Sequence, residues 1–89
     1  MTISAELSYY PLHSDDFPGP IREFIDRLAA YPDIEVRTNG MSTQVFGEFA
    51  DVMRILATEL ERSFVNPYSV FVLKIVNTDL RIYPQDPKS

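Results

Sequence analysis

Thr38-Asn39-Gly40-Met41-Ser42-Thr43-Gln44-Val45-Phe46-Gly47-Glu48 is the stretch on which the reading of the fold turns. It opens on Asn39-Gly40, a hairpin signal. It continues through a run about Ser42 to Phe46 in which Thr43 and Val45 share one face and Gln44 and Phe46 the other, the period of a strand. At Gly47 the sequence predicts a bulge or a sharp change of direction, and from Glu48 the spacing becomes helical. A hairpin that feeds straight into a helix makes the middle of the chain β-β-α. The same stretch gathers small polar groups, two glycines and an aromatic, a mixture that suits a turn and a ligand contact better than a core.

The pattern extends outward on both sides. Upstream, Ile34, Val36 and Thr38 alternate with Glu35, Arg37 and Asn39 and give the hairpin its first strand. Downstream, Phe49, Val52, Met53, Leu56, Leu60 and Phe64 recur at helical spacing to about Ser63. Glu48 and Asp51 fall in the first turn, where the helix dipole favours anions. Asn66-Pro67 breaks the chain before an apolar strand from Val70 to about Val76. That strand is apolar on both sides, so both of its faces are expected to be covered.

Towards the N-terminus a second helix is predicted. Pro20 suits its first turn, Ile21, Phe24, Ile25 and Leu28 form its apolar stripe, and Arg22, Glu23, Asp26 and Arg27 form its wet face. Tyr31-Pro32-Asp33 ends it, because the residue before a proline resists the helical region. Residues 2–10 alternate again, with Ile3, Ala5, Leu7 and Tyr9 towards a core and Ser4, Glu6, Ser8 and Tyr10 away from it. Pro11 is expected to stop this strand, since it cannot donate to a ladder.

The order is β-α-β-β-α-β, the ferredoxin-like arrangement of an α+β fold. It implies a four-stranded antiparallel sheet with both helices on one face. The open face would carry Ser4, Glu6, Ser8, Tyr10, Glu35, Arg37, Asn39, Gln44, Phe46, Val70, Val72 and Lys74. Its apolar members predict a second subunit as cover, in a homodimer or homotetramer. One domain is expected over residues 1–83, with a disordered tail at 84–89.

Composition narrows the function. Eighty-nine residues leave room for one small core. A net charge of −5 provides no basic surface for nucleic acid. It suits a small cationic ligand, or only solubility. The absence of cysteine excludes a disulfide framework, a zinc-thiolate site, a thiol nucleophile and a redox centre. The first residues lack the basic segment and apolar run of a signal peptide, and no apolar run approaches the ~20 residues needed to span a bilayer. A soluble, cytoplasmic protein is expected, with no membrane partner.

Few residues point to chemistry. His13, the only histidine, lies in a loop beside Asp15 and Asp16, which is a solvated loop more readily than a metal site. Nothing in the spacing aligns it with Ser8 or Ser14 for nucleophilic catalysis. Glu6 stands out as a carboxylate in mid-strand, a costly placement unless it is paired or binds something. Lys74 and Arg37 on the same face are its candidate partners. Tyr9 or Tyr10 can stack on a flat ligand or simply pack. Met41 and Met53 read as gap fillers. Asn39, Ser42 and Thr43 add small donors and acceptors near the turn.

Three segments resemble the small thiamine-binding, YkoF-like family of ferredoxin-like proteins. Ile3-Ser4-Ala5-Glu6-Leu7-Ser8-Tyr9-Tyr10-Pro11-Leu12 is similar to that family's opening strand, Asn39-Gly40-Met41-Ser42-Thr43 to its turn, and Gly47-Glu48 to its entry into the second helix. The family often carries a second carboxylate just before the glycine, where this chain has Phe46, a departure that points to a changed ligand or a different interface. The resemblance implies binding of thiamine or its hydroxymethylpyrimidine moiety, without catalysis and without another cofactor or metal. On that reading Glu6, Ser8, Tyr10, Asn39, Ser42 and Thr43 are the candidate ligand contacts. The competing expectation is an oligomerisation or regulatory module of the same fold with no vitamin ligand.

Overall fold

The computed structural model of the chain describes residues 1–82. Its elements run β1 (Thr2–Pro11), α1 (Pro18–Ala29), β2 (Ile34–Thr38), β3 (Thr43–Glu48), α2 (Phe49–Ser63) and β4 (Ser69–Val76), followed by a short 3-10 turn, Leu80–Ile82. All strand pairings are antiparallel and the spatial order is β2-β3-β1-β4. This is the expected ferredoxin-like sheet with two helices. The expected tail at 84–89 lies outside the described residues.

Period-two alternation in β1 turns Ile3, Ala5, Leu7 and Tyr9 towards the helices, where they bury with Phe24, Leu28, Val45, Val52, Ile55 and Leu56. Tyr9 stacks on Phe71 at 4.3 Å, and Phe24 meets the edge of Tyr9 at 5.6 Å. Tyr9 is therefore core rather than ligand platform. Met41, expected as a gap filler, projects into solvent from the hairpin loop.

Three local expectations change. Of the bulge or change of direction expected at Gly47 there is no bulge, since β3 pairs it with Ile3 on one side and Ile34 on the other, and the change of direction into α2 comes just after it, between Glu48 and Phe49. The glycine is needed for closeness instead: a Cβ there would lie 3.2 Å from the Asp33 carbonyl oxygen and 3.3 Å from Val52 Cγ2. The hairpin loop does not use the left-handed glycine that Asn-Gly usually signals. Asn39 closes it by accepting the backbone N–H groups of Met41 and Ser42 on its Oδ1, at 2.7 and 3.0 Å. Pro11 is the last residue of β1 rather than the residue beyond it, paired with Ser69.

α2 is rotated relative to the stripe read from sequence. It buries Val52, Ile55, Leu56, Glu59 and Ser63, while Phe49 and Phe64 at its ends stay exposed. Arg27, assigned to the wet face of α1, lies between the helices because Glu59 draws it in. Its Nε donates to Glu59 Oε1 at 2.7 Å, and Tyr31 Oη donates to Glu59 Oε2 at 2.7 Å.

β4 is an edge strand, and among the described residues of this one chain neither of its faces is fully covered. Val70, Val72, Leu73, Ile75 and Val76 are all exposed to a substantial degree. Within one chain, the helices do not reach far enough across the sheet to shield it.

Candidate functional site

The register stacks the open face into rows that cross the sheet. Arg37 pairs with Gln44, Gln44 with Glu6, and Glu6 with Lys74, so one row reads Arg37–Gln44–Glu6–Lys74 from β2 to β4. The next row towards the N-terminus of β1 reads Glu35–Phe46–Ser4–Val76. Side chains directly opposite in such rows lie ~5 Å apart and interact.

The chain returns over the second of these rows after β4. Ser4 Oγ donates to the Thr78 carbonyl at 2.8 Å and accepts from the Leu80 N–H at 2.9 Å. Asp79 Oδ1 accepts from both the backbone N–H and Nε of Arg81, and Arg81 Nη1 reaches Glu35 at 3.2 Å. The Arg81 and Arg37 guanidinium carbons lie 5.3 and 5.2 Å from the centroid of the Phe46 ring. Phe46, an apolar residue on the open face, is thus buried from within the chain.

Between this roof and the Glu6 row lies a cleft of about 810 Å³, lined by Ser4, Ala5, Glu6, Arg37, Gln44, Phe46, Lys74, Ile75, Val76, Leu80 and Arg81. Its size is that of a small-molecule site. Glu6 faces it with 40 % of its side chain exposed; Oε1 is 3.5 Å from Lys74 Nζ, and Oε2 accepts from Ser42 Oγ at 3.0 Å. The Gln44 amide stands beside it as an adjustable donor and acceptor.

The roof side is electrostatically closed. Hydrogen bonds from Arg37 and Arg81 hold the Glu35 carboxyl below its ordinary range. The hydrogen bond from Arg81 does the same for Asp79, and Asp79 in return raises Arg81. These cations are committed to their own carboxylates, so the cleft does not present a free positive patch.

The candidate residues divide accordingly. Glu6 and Ser42 come together. Ser8 is on the same face one step along β1, opposite Val72, and Tyr10 a step further, opposite Val70. Tyr10 is four residues from Glu6, about 13 Å along the strand, too far to share one small ligand's polar edge. Asn39 uses its side-chain oxygen inside the hairpin loop. Thr43 is on the other side of the sheet: it pairs with Leu7 and is buried towards the helices, because a period of two separates it from Gln44. An expected contact between Thr43 and a ligand beside Glu6 does not fit this register; Gln44 is the β3 residue that pairs with Glu6 and lines the cleft. Gln44 could have been chosen from the alternation alone. The roof has one signal in the sequence, the polar Asn77-Thr78-Asp79 followed by Leu80-Arg81, which marks a turn rather than a continuing strand.

Among the described residues no group of three or more His, Cys, Asp or Glu side chains is placed to hold a metal ion, and no helix is long and apolar enough to cross a membrane. His13 Nδ1 is buried with no hydrogen-bond partner among those residues.

No family model matches the sequence, and no curated protein matches it. Solved structures do resemble it. Protein SP2199 of Streptococcus pneumoniae is 25 % identical, with a TM-score of 0.80 over 92 % of both chains. Hypothetical protein MJ1052 of Methanocaldococcus jannaschii is 22 % identical, with a TM-score of 0.75 over 89 % of this chain and 82 % of that one. TM0486 of Thermotoga maritima, a candidate thiamine biosynthesis/salvage protein, is 16 % identical, with a TM-score of 0.76 over 88 % of this chain and 85 % of that one. These likenesses show the shared fold.

Proposed function

We propose that the chain binds a flat aminopyrimidine, thiamine or its hydroxymethylpyrimidine moiety, in the cleft on the open sheet face, without transforming it. The observation that carries this reading is the row Gln44–Glu6–Lys74 facing the cleft, with a carboxylate whose bonding capacity is only partly used. An aminopyrimidine offers an exocyclic amine as donor and ring nitrogens as acceptors. Glu6 accepts from the amine, and the Gln44 amide meets a ring nitrogen. The apolar parts of Val76 and Leu80 cover the ring faces. The pyrimidine end suits the cleft better than the thiazolium end, because Arg37 and Arg81 already occupy the Phe46 ring that would otherwise receive a cation.

The likeness in fold to TM0486 supports the choice of ligand class. Titration calorimetry with thiamine and with hydroxymethylpyrimidine tests the proposal. Heat is expected with both, and no heat at millimolar concentration of either sinks it.

A further inference from the structure

We propose that the roof over the cleft, Thr78–Ile82, is a strap that swings off the sheet as one piece and controls entry to the cleft, with Ser4 as its fastening. That it serves a ligand rests on the function proposed above; that it opens does not.

The cleft has one wall able to move. Of the residues that line it, all but Leu80 and Arg81 stand on the four strands. Those strands are paired along their length, and neighbours cannot part without breaking a ladder of backbone hydrogen bonds. Leu80 and Arg81 come from the segment beyond β4, where the chain bends at Asn77 and Thr78. A wider entrance is made there or not at all.

The bonds of this segment fall into two sets. Inside it, Asp79 Oδ1 accepts from the Arg81 backbone N–H at 3.0 Å and from Nε at 2.9 Å, and Oδ2 accepts from Nη2 at 2.9 Å. The Ile82 N–H donates to the Asp79 carbonyl at 3.4 Å. Across to the sheet, the bonds among the described residues are those of Ser4 Oγ with the Thr78 carbonyl and the Leu80 N–H, and that of Arg81 Nη1 with Glu35 Oε1. Arg81 therefore takes its counter-charge with it when the strap lifts. Glu35 keeps Arg37, whose Nε donates to its other oxygen. Neither side is left with an unpaired charge, the condition that makes breaking an ion pair costly.

Little apolar contact opposes the movement. Leu80 is 47 % exposed and Ile82 70 %. Arg81 lies over the Phe46 ring, but so does Arg37, which stays with the sheet. Segments so lightly held open at a fraction of the free energy of global unfolding, and such openings gate many ligand sites. Ser4 is the fastening because its hydroxyl, buried on the open face, spends both of its bonds on the strap. Ser4→Ala removes the two together and leaves the strand intact.

Amide hydrogen exchange followed by NMR tests the opening without a ligand and without a variant. The Leu80 N–H of the wild type is expected to exchange roughly a hundredfold or more faster than the amides of β1, and to be insensitive to low urea, the mark of a local opening. Added hydroxymethylpyrimidine is expected to slow Leu80 further. Ser4→Ala is expected to leave the β1 amides unchanged and to speed hydroxymethylpyrimidine dissociation about tenfold, the worth of one net hydrogen bond. Leu80 exchange that keeps pace with β1, through global unfolding alone, overturns the proposal. So does a dissociation rate unchanged by Ser4→Ala. If hydroxymethylpyrimidine gives no heat with the wild type, the proposed function falls, and the exchange of Leu80 decides the strap by itself.

Discussion

Glu59, between the helices, and Glu6, on the open face, are carboxylates on opposite sides of one sheet. Glu59 has 1 % of its side chain exposed and is held by Arg27, Tyr31 and, at 3.5 Å, Arg62. Arg27 also reaches Ser63, so the cluster ties α1 to both turns at the end of α2. Glu6 keeps 40 % of its side chain in the cleft, and its cation, Lys74, is 79 % exposed. One carboxylate has spent its bonding capacity inside the fold. The other retains it. Charge buried with all partners present specifies packing; charge left half-satisfied beside a cleft is available to a ligand.

The largest effect expected from this contrast is on stability. Glu59→Ala leaves Arg27, about a third exposed, and the half-buried Tyr31 without their acceptor and should cost about 3 kcal/mol, the low end for a broken buried pair, a large share of a small domain's stability. Urea unfolding measures it. The pH dependence has a fixed sign. Burial pushes the Glu59 carboxyl up, but hydrogen bonds from Tyr31 and Arg27 outweigh it, and the net shift is downward. The ionised form is thus favoured in the fold. Its contribution is complete above the unfolded value of about 4.3 and is lost as the pH falls through the lower folded value. Stability of the wild type should fall in that acid window, and Glu59→Gln should flatten the fall. A profile unaltered by Glu59→Gln would mean that other carboxylates dominate acid unfolding, among them Glu35 and Asp79, which are also lowered.

The second effect is on binding. Glu6→Gln keeps the shape and the Ser42 bond but removes the charge. Affinity for the pyrimidine should drop by about 1.5–3 kcal/mol, ten- to more than a hundredfold, with unfolding almost unchanged. Gln44→Leu, which removes only neutral hydrogen bonds, should cost binding less, about 0.5–1.5 kcal/mol. Equal losses in the two variants would place the ligand's amine elsewhere.

The two carboxylates were not equally legible in the sequence. Glu6 announces itself because alternation in residues 2–10 is strict and assigns it to the open face, where it is the one charge among Ser4, Ser8 and Tyr10. Glu59 hides because helical spacing tolerates a choice of stripe. Phe49, Val52, Met53, Leu56, Leu60 and Phe64 form a credible apolar face, yet the fold selects the neighbouring one through Ile55 and Glu59. Aromatics at helix ends draw such a stripe towards themselves, although an end residue can project past the core. The Arg37–Gln44–Glu6–Lys74 row needed strand order and register, which no single segment contains. Thr43 was misplaced for a related reason. Sequence proximity to Ser42 placed it near Glu6, whereas the pleat sends the two residues to opposite faces. The coverage expected for β4 fails within one chain because apolar composition states that a strand needs cover and not which molecule supplies it.

The smallest effect tests the contrast most severely. If Glu6 is free for a ligand, its ion pair with Lys74 contributes little to folding. The separation of 3.5 Å, the 79 % exposed ammonium and the flexible stem all place it among surface pairs, which are worth about 0–1 kcal/mol. Lys74→Gln should therefore lower the melting temperature by only a few degrees, since 1 kcal/mol corresponds to about 4–8 °C in a domain of this size. Its effect on binding should be opposite in kind to that of Glu6→Gln. Without the ammonium, Glu6 Oε1 is left to the ligand's amine while Oε2 keeps its bond from Ser42, and affinity should hold or rise slightly. A melting temperature that falls as far for Lys74→Gln as for Glu59→Ala would make Glu6 a structural charge like Glu59, and the open-face row would then be a brace across four strands rather than the floor of a binding site.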